Sequence, residues 1–238
     1  MRITYSQFQK YIANVTIVFV LILVGFITYQ GGVVGVFSSY GQTGAIYSGN
    51  VKNKAVSLMF NVYMGNEYIA QILDILKDNE VKATFFIGGT WANKNEECFM
   101  KIVESGNEIG SHGYWHKDHD KISDDEQINE ILMTEELIEQ LCGIKTTLFA
   151  PPSGAFNKAT INIANNLGYK TIMWSKDTID WRDQDVALIT KRATENIKSG
   201  DLILCHPTNA TVQALKLIIC KIKESGLKIV TVGKNISS

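Results

Sequence analysis

Residues 112–119 read HGYWHKDH and carry three of the chain's four histidines. His112 and His116 stand four apart. On a helix or helical turn that spacing turns both imidazoles to one side, as a divalent cation needs. An ion held there would acidify a bound water and polarise a carbonyl, the opening requirements of metal-assisted hydrolysis. His119 lies among Lys117, Asp118 and Asp120 and reads as an ordinary surface residue. HxxxH alone is a modest signal, so its weight depends on what the rest of the chain brings beside it.

The elements that must do the positioning alternate from residue 55 onward. Short apolar runs occupy 55–60, 83–88, 108–112, 146–150, 169–174, 201–205 and 227–232. Between them, Ile69, Ile72, Leu73 and Leu76 recur at the spacing of one helical face, as do Val212, Leu215, Ile219 and Ile222. Ser123 and Glu126 form a candidate capping box for a helix carrying Ile128, Ile131, Leu132 and Ile138. Glycines 106, 143, 168, 200 and 226 each follow a helical run and precede an apolar one, as helix stops do. About seven strands alternating with helices predict an α/β parallel sheet. A doubly wound sheet and a barrel both fit. Asn61, His112, Ala150, Asp177 and His206 all fall at strand C-termini, and convergence from five strand ends favours a barrel.

The N-terminus has a different character. No charged residue occurs between Lys10 and Lys52. The run IANVTIVFVLILVGFIT (12–28) is apolar enough to span a bilayer with its flanks, with Arg2 and Lys10 before it. The expected layout is a cytoplasmic segment 1–11, a transmembrane anchor or signal sequence over 12–29, a linker over 30–53 and a domain over 54–238. The domain would sit on the outer side of the cell membrane. A net charge of -1 and the absence of a basic stripe give no reason to expect nucleic acid. No glycine-rich nucleotide loop is present. Cys98, Cys142, Cys205 and Cys220 show no CxxC spacing. Cys98, Cys205 and Cys220 read as small core residues, and Cys142, beside Gly143, as more exposed.

Six segments in order, SLMFNVYMGNEY, ILDILKDNEVKATFFIGGTWA, GNEIGSHGYWH, FAPPSGAFN, WSKDTIDW and ILCHP, resemble the NodB-homology polysaccharide deacetylases. The nearest resemblance is to a membrane-anchored, sporulation-associated branch, and it runs from about Ala55 to Val232. It implies a distorted (β/α) barrel and metal-dependent removal of acetyl groups from N-acetylated cell-wall sugars. It implies His112 and His116 as ligands of a divalent metal such as zinc, and His206 as the acid that protonates the departing amine. An aspartate of the segment 177–181 would support the catalytic residues, Asp177 ahead of Asp180, which reads equally as loop scaffold, and Pro151, Pro152, Gly154 and Trp181 would line the substrate groove. Trp91, Trp174 and Tyr114 are further candidate sugar-stacking faces.

Two positions depart from the family pattern. Asn61 stands where a general base is expected, with Val62 where a second carboxylate often ligates the metal. Ala150 replaces an arginine. Asparagine has nearly the shape of aspartate but cannot take up a proton and hold it. Loss of a general base costs about 10²- to 10⁴-fold in rate. Ala150 removes a five-donor fork that could orient a carboxylate or pair with substrate. The sequence therefore supports two readings, a wall-facing deacetylase and a pseudoenzyme that keeps the scaffold for binding glycan.

Overall fold

The computed structural model describes residues 44–237. The apolar run over 12–28 lies outside the described residues, and among these no helix is long and apolar enough to cross a membrane. The strands are β1 (Ala45–Ile46), β2 (Ala55–Val62), β3 (Thr84–Ile87), β4 (Glu108–Ser111), β5 (Leu148–Phe149), β6 (Lys170–Ile172), β7 (Lys176–Asp177), β8 (Leu202–Cys205) and β9 (Lys228–Ile229). Eight of them form one parallel path in the order β1-β6-β5-β4-β3-β2-β8-β7, and β9 pairs only with the start of β2.

This path is a curled, open sheet, a half-barrel, which corrects the expectation of a barrel of about seven strands. Among the described residues no ladder joins β1 to β7. The chain instead bends between them: the amide of Met173 donates to Ile46 and that of Ser175 to Leu202. β7 escaped the sequence reading because two residues show no period, while β1 falls in the 30–53 stretch, whose apolar content also fits a short strand against the domain. β1 also places part of the 30–53 stretch against the domain, through its pairing with β6.

The helices are α1 (Asn66–Asp78), α2 (Gly89–Lys94), α3 (Glu96–Glu104), α4 (Asp124–Cys142), α5 (Lys158–Asn166), α6 (Val186–Thr194), α7 (Asn209–Glu224) and α8 (Val232–Ile236). Ile69, Ile72, Leu73 and Leu76 of α1 are buried, as are Leu215, Ile219 and Ile222 of α7, so the spacing of each run names its inner face. Ser123 and Glu126 form the reciprocal capping box, and Gly143 ends α4 in the left-handed conformation. Leu132, by contrast, is exposed on that helix.

The central strand β2 is buried along all eight residues. Its even-numbered side chains, Val56, Leu58, Phe60 and Val62, enter the main core with α1 and α7. Met59, on the other face, packs with Phe86, Ala150, Leu202 and Leu204 in a second cluster. Successive strand side chains point to opposite faces, and this division decides what the end of β2 offers to the site.

Candidate functional site

The histidine segment leaves β4 in register. The His112 amide donates to Ile87, 2.9 Å away, continuing the ladder by one residue. The imidazole is buried, and its Nδ1–H donates to the Ala150 carbonyl at 2.7 Å, which leaves Nε2 as the open nitrogen. Residues 112–118 are not helical, contrary to the expectation from HxxxH. Gly113 and His116 both take positive φ, 74° and 59°, and the loop folds back through them. Gly113 has a second constraint: a Cβ there would come within 2.8 Å of Glu130 Oε2. That loop brings the two rings together at 5.0 Å between centroids, with planes 70° apart. Burial, then the neighbouring His116, holds the His112 pKa well below its ordinary value, and burial lowers that of His116.

What holds the loop is Glu130, a residue the sequence reading did not single out. It lies on α4, fully buried, and its Oε2 accepts from the Trp115 amide at 2.9 Å. The backbone at Tyr114 and Lys117 also lies near this carboxylate and favours its charged form, against the burial that raises its pKa. From the other side, Gly89 and Thr90 at the start of α2 donate to the Gly113 and Tyr114 carbonyls. The sequence carried little signal for it, because the buried face of α4 also holds Gln127 and Thr134 beside Ile131 and Ile138.

His206 follows β8 directly. Its Nδ1 lies 2.7 Å from Asp180 Oδ1 and its backbone amide 2.7 Å from Oδ2, while the Thr211 hydroxyl donates to the same Oδ2. Asp180 is completely buried. Asp177 is half-buried, and its Oδ1 accepts from the Ile179 amide at 2.8 Å, shaping the turn that leads to Asp180. Of the two aspartates, then, Asp180 touches His206 and Asp177 holds the loop between them.

Asn61 is buried near the end of β2, and its Oδ1 has no hydrogen-bond partner among the described residues. By strand alternation Val62 turns into the main core, while Tyr63 falls on the side of Asn61. The Tyr63 ring stacks on His116 at 3.9 Å between centroids. It lies 6.0 Å from the His112 ring and stands edge-on to His206 at 6.2 Å. Burial, with Asp180 nearby, raises its phenol pKa. Sequence reasoning passed over Tyr63; extending the period-2 pattern of β2 by one residue would have found it.

The groove residues are placed as follows. Pro151 and Pro152 are buried, and Ser153 and Gly154 take positive φ of 56° and 65°. A Cβ on Gly154 would come 2.8 Å from the Trp174 ring, so this turn and Trp174 meet edge to backbone. Trp181 is 51% exposed and Trp115 47% exposed, each one or two residues from a site side chain. Trp91 is buried in the main core and offers no stacking face. His119 is also buried, against the Phe149 ring at 4.9 Å, because the short 3-10 turn His119–Lys121 points it inward. Burial pushes its pKa down to about 4, with Gln127 pulling weakly the other way. Cys220 is exposed, not core; Cys205 is buried, and Cys98 and Cys142 are intermediate.

A divalent metal does not fit the residues present. Catalytic zinc sites use three protein ligands plus water. Among the described residues no three His, Cys, Asp or Glu side chains gather to hold an ion. His112 and His116 are neutral donors, Asn61 is a neutral amide, Val62 faces the core, and an aromatic ring lies against His116.

Residues 48–172 match the family model described as polysaccharide deacetylase. The uncharacterized protein YlxY of Bacillus subtilis is 41% identical over 191 residues, covering 80% of this chain and 60% of that protein. A peptidoglycan-N-acetylglucosamine deacetylase of Bacillus cereus is 32% identical over 187 residues, 76% of this chain and 87% of that enzyme. Among solved structures, BA3943 of Bacillus anthracis, a CE4 family pseudoenzyme, superposes with a TM-score of 0.79 at 38% identity, covering 81% of this chain and 69% of that one. A mutant of BA3943 is described as having restored enzymatic activity. These matches single out no sporulation-associated branch. Six ordered motifs, the half-barrel that carries them, and a family model spanning residues 48–172 agree that this chain belongs to the NodB-homology polysaccharide deacetylase family.

Proposed function

We propose that the chain is a non-hydrolytic member of its family that binds an N-acetylated cell-wall glycan at the C-terminal end of its sheet. In this reading the apolar run over 12–28 tethers the domain to the outer face of the cell membrane, within reach of the wall. The observation that carries the reading is Asn61. It is buried where the family pattern expects a base, its amide oxygen has no partner among the described residues, and it cannot hold a proton. Without a base, turnover falls by about 10²- to 10⁴-fold; the misfit of a metal removes the other source of an activated water.

The same features suit binding. A buried acceptor without a partner costs roughly 1–3 kcal/mol, and an amide N–H or hydroxyl of an amino sugar would satisfy it. Trp115 and Trp181 are each about half exposed and supply aromatic surface for sugar stacking, with Lys117 lying over the one ring and Arg182 over the other. The likeness to BA3943, a pseudoenzyme, supports the reading. The intact Asp180–His206 pair is consistent with descent from a hydrolase.

The test measures two quantities on the full-length chain in detergent. Acetate release from N-acetylglucosamine oligomers, with zinc supplied, is expected at background. Co-sedimentation with purified peptidoglycan is expected to deplete the chain from solution, and to weaken about tenfold in Trp115→Ala or Trp181→Ala. Zinc-dependent turnover by the wild type, or no retention by peptidoglycan, overturns the proposal.

A further inference from the structure

We infer that the end of the sheet where the strands begin, opposite the histidines, is a docking face for an anionic phospholipid surface. The inference rests on the membrane tether of the reading above and deepens it, because it says which way a tethered domain points. The first support is the placement of lysines. All strands of the path run parallel, so one end of the sheet holds every strand start. Lys54 stands directly before β2, and Lys228 opens β9, with its amide donating to the Lys54 carbonyl. A 3-10 turn, Val51–Asn53, carries Lys52, and α8 carries Lys234. These segments meet, because the Asn50 amide and the Asn53 side chain both donate to the Asn235 carbonyl. All four lysines are exposed, and among the described residues none of them forms an ion pair. The carboxylates beneath them turn inward: Glu108 accepts from the Gly233 amide and Asp201 from the Ser175 hydroxyl.

The second support is an apolar side chain among these charges. Val51 is 66% exposed, more than any other large apolar side chain among the described residues. Its Cγ1 would lie 3.5 Å from a Cβ on Gly200, two residues before β8, which fixes it at the same end of the sheet. An aliphatic group held out beside ammonium groups suits the boundary between lipid headgroups and acyl chains, where the group leaves water and the charges stay in it.

The third support is where the chain enters the domain. Gly44 directly precedes β1, which is parallel to β6, and a Cβ on Gly44 would come 3.3 Å from Asn165 Nδ2 in the last turn of α5. The chain therefore joins the sheet at the lysine end. Residues 29–43 separate this point from the apolar run over 12–28 and span at most about 50 Å. At the opposite end, α4 opens with Asp124, Asp125 and Glu126. A negative surface attracts one end of this domain and repels the other, each lysine at the surface strengthening binding about fivefold. Docked in this way, the domain turns Asn61, His112 and His206 away from the bilayer.

The experiment is amine acetylation of the full-length chain in lipid nanodiscs, read residue by residue by mass spectrometry. One bilayer is phosphatidylcholine alone, and the other carries phosphatidylglycerol as about a third of its lipid. In the anionic bilayer Lys52, Lys54, Lys228 and Lys234 are expected to react at least threefold more slowly than in the neutral one. Lys94 and Lys158, exposed toward the histidine end, should react alike in both. Salt at about 0.5 M should abolish the difference. Val51→Asp combined with Lys52→Glu should abolish the slowing at Lys228 and Lys234. Circular dichroism establishes that this variant is folded; should it not fold, Lys52→Gln with Lys54→Gln carries the comparison. Equal slowing at Lys94 and Lys158 overturns the inference. So does slowing by soluble polyphosphate with none from the anionic bilayer, which would assign the lysines to a wall polymer. A chain held in both bilayers with equal lysine rates sinks this inference alone. A chain retained in neither sinks the tether and the inference with it, while peptidoglycan co-sedimentation judges the glycan reading separately.

Discussion

Replacing one carboxylate oxygen by an amide nitrogen, at Asn61, leaves the shape of the strand end intact and removes its capacity for proton transfer. Because no third ligand gathers with His112 and His116 among the described residues, restoring the base alone is not expected to restore chemistry. Asn61→Asp should release acetate near background with zinc present. Zinc-dependent release at least tenfold above wild type would show that the base alone was missing. The two aspartates make a second residue-scale contrast. Asp180 takes three buried hydrogen bonds, two from His206 and one from Thr211. Removing one partner of a buried charged network leaves the others unpaired, so Asp180→Ala should cost about 3–5 kcal/mol in urea denaturation. Asp177→Ala, which loses one bond in a half-buried turn, should cost about 1 kcal/mol. The sequence favours Asp177 over Asp180 for the site, whereas Asp180 is the one that meets His206. Which one meets His206 depends on the path of a turn containing Ile179 at positive φ.

At the scale of elements, the site is a set of loops pinned by neighbours. α4 contributes little apolar contrast between its faces, yet its buried Glu130 fixes the backbone from Tyr114 to Lys117. Glu130→Ala would leave the Trp115 amide without its acceptor. We expect a loss of about 1–3 kcal/mol and faster hydrogen exchange confined to 113–117; unchanged exchange there would mean the loop is held from α2 alone. The long elements were legible in the sequence: the inner face of α1, the capping box of α4 and the glycine stops follow from spacing and backbone freedom. HxxxH was legible as a pair but not as a shape, because its rings converge through two left-handed residues where helical spacing was expected. Tyr63 was missed for a related reason. A strand pattern gives faces only when its end is known, and the apolar Val62 looked like a lost ligand where it is a core residue. His119 was hidden by charged neighbours in sequence that do not share its direction in space.

For the molecule as a whole, pH is a direct probe of how many imidazoles the fold keeps neutral. His119 falls to about 4 in the folded state from an ordinary 6.5. The unfolded chain thus takes up its proton first as acidity rises. Its contribution to stability is complete above pH ~6.5 and is lost progressively down to about 4. His112 and His116 act in the same direction, while the raised pKa of Glu130, caused by its burial, opposes them near the bottom of that window. Urea midpoints should therefore drop between pH 7 and 5, and His119→Phe, which keeps an aromatic ring against Phe149, should shrink the drop. An unchanged difference would place the sensitivity elsewhere. The α/β class was readable from alternating runs, but closure was not, since it depended on edge segments two residues long. Those short edges carry a consequence of their own. Among the described residues β1 and β7 are each two residues long, too short to template a strand from a neighbouring copy. Copies of this domain concentrated together are therefore expected to remain separate particles and not to zip into fibres through these edges.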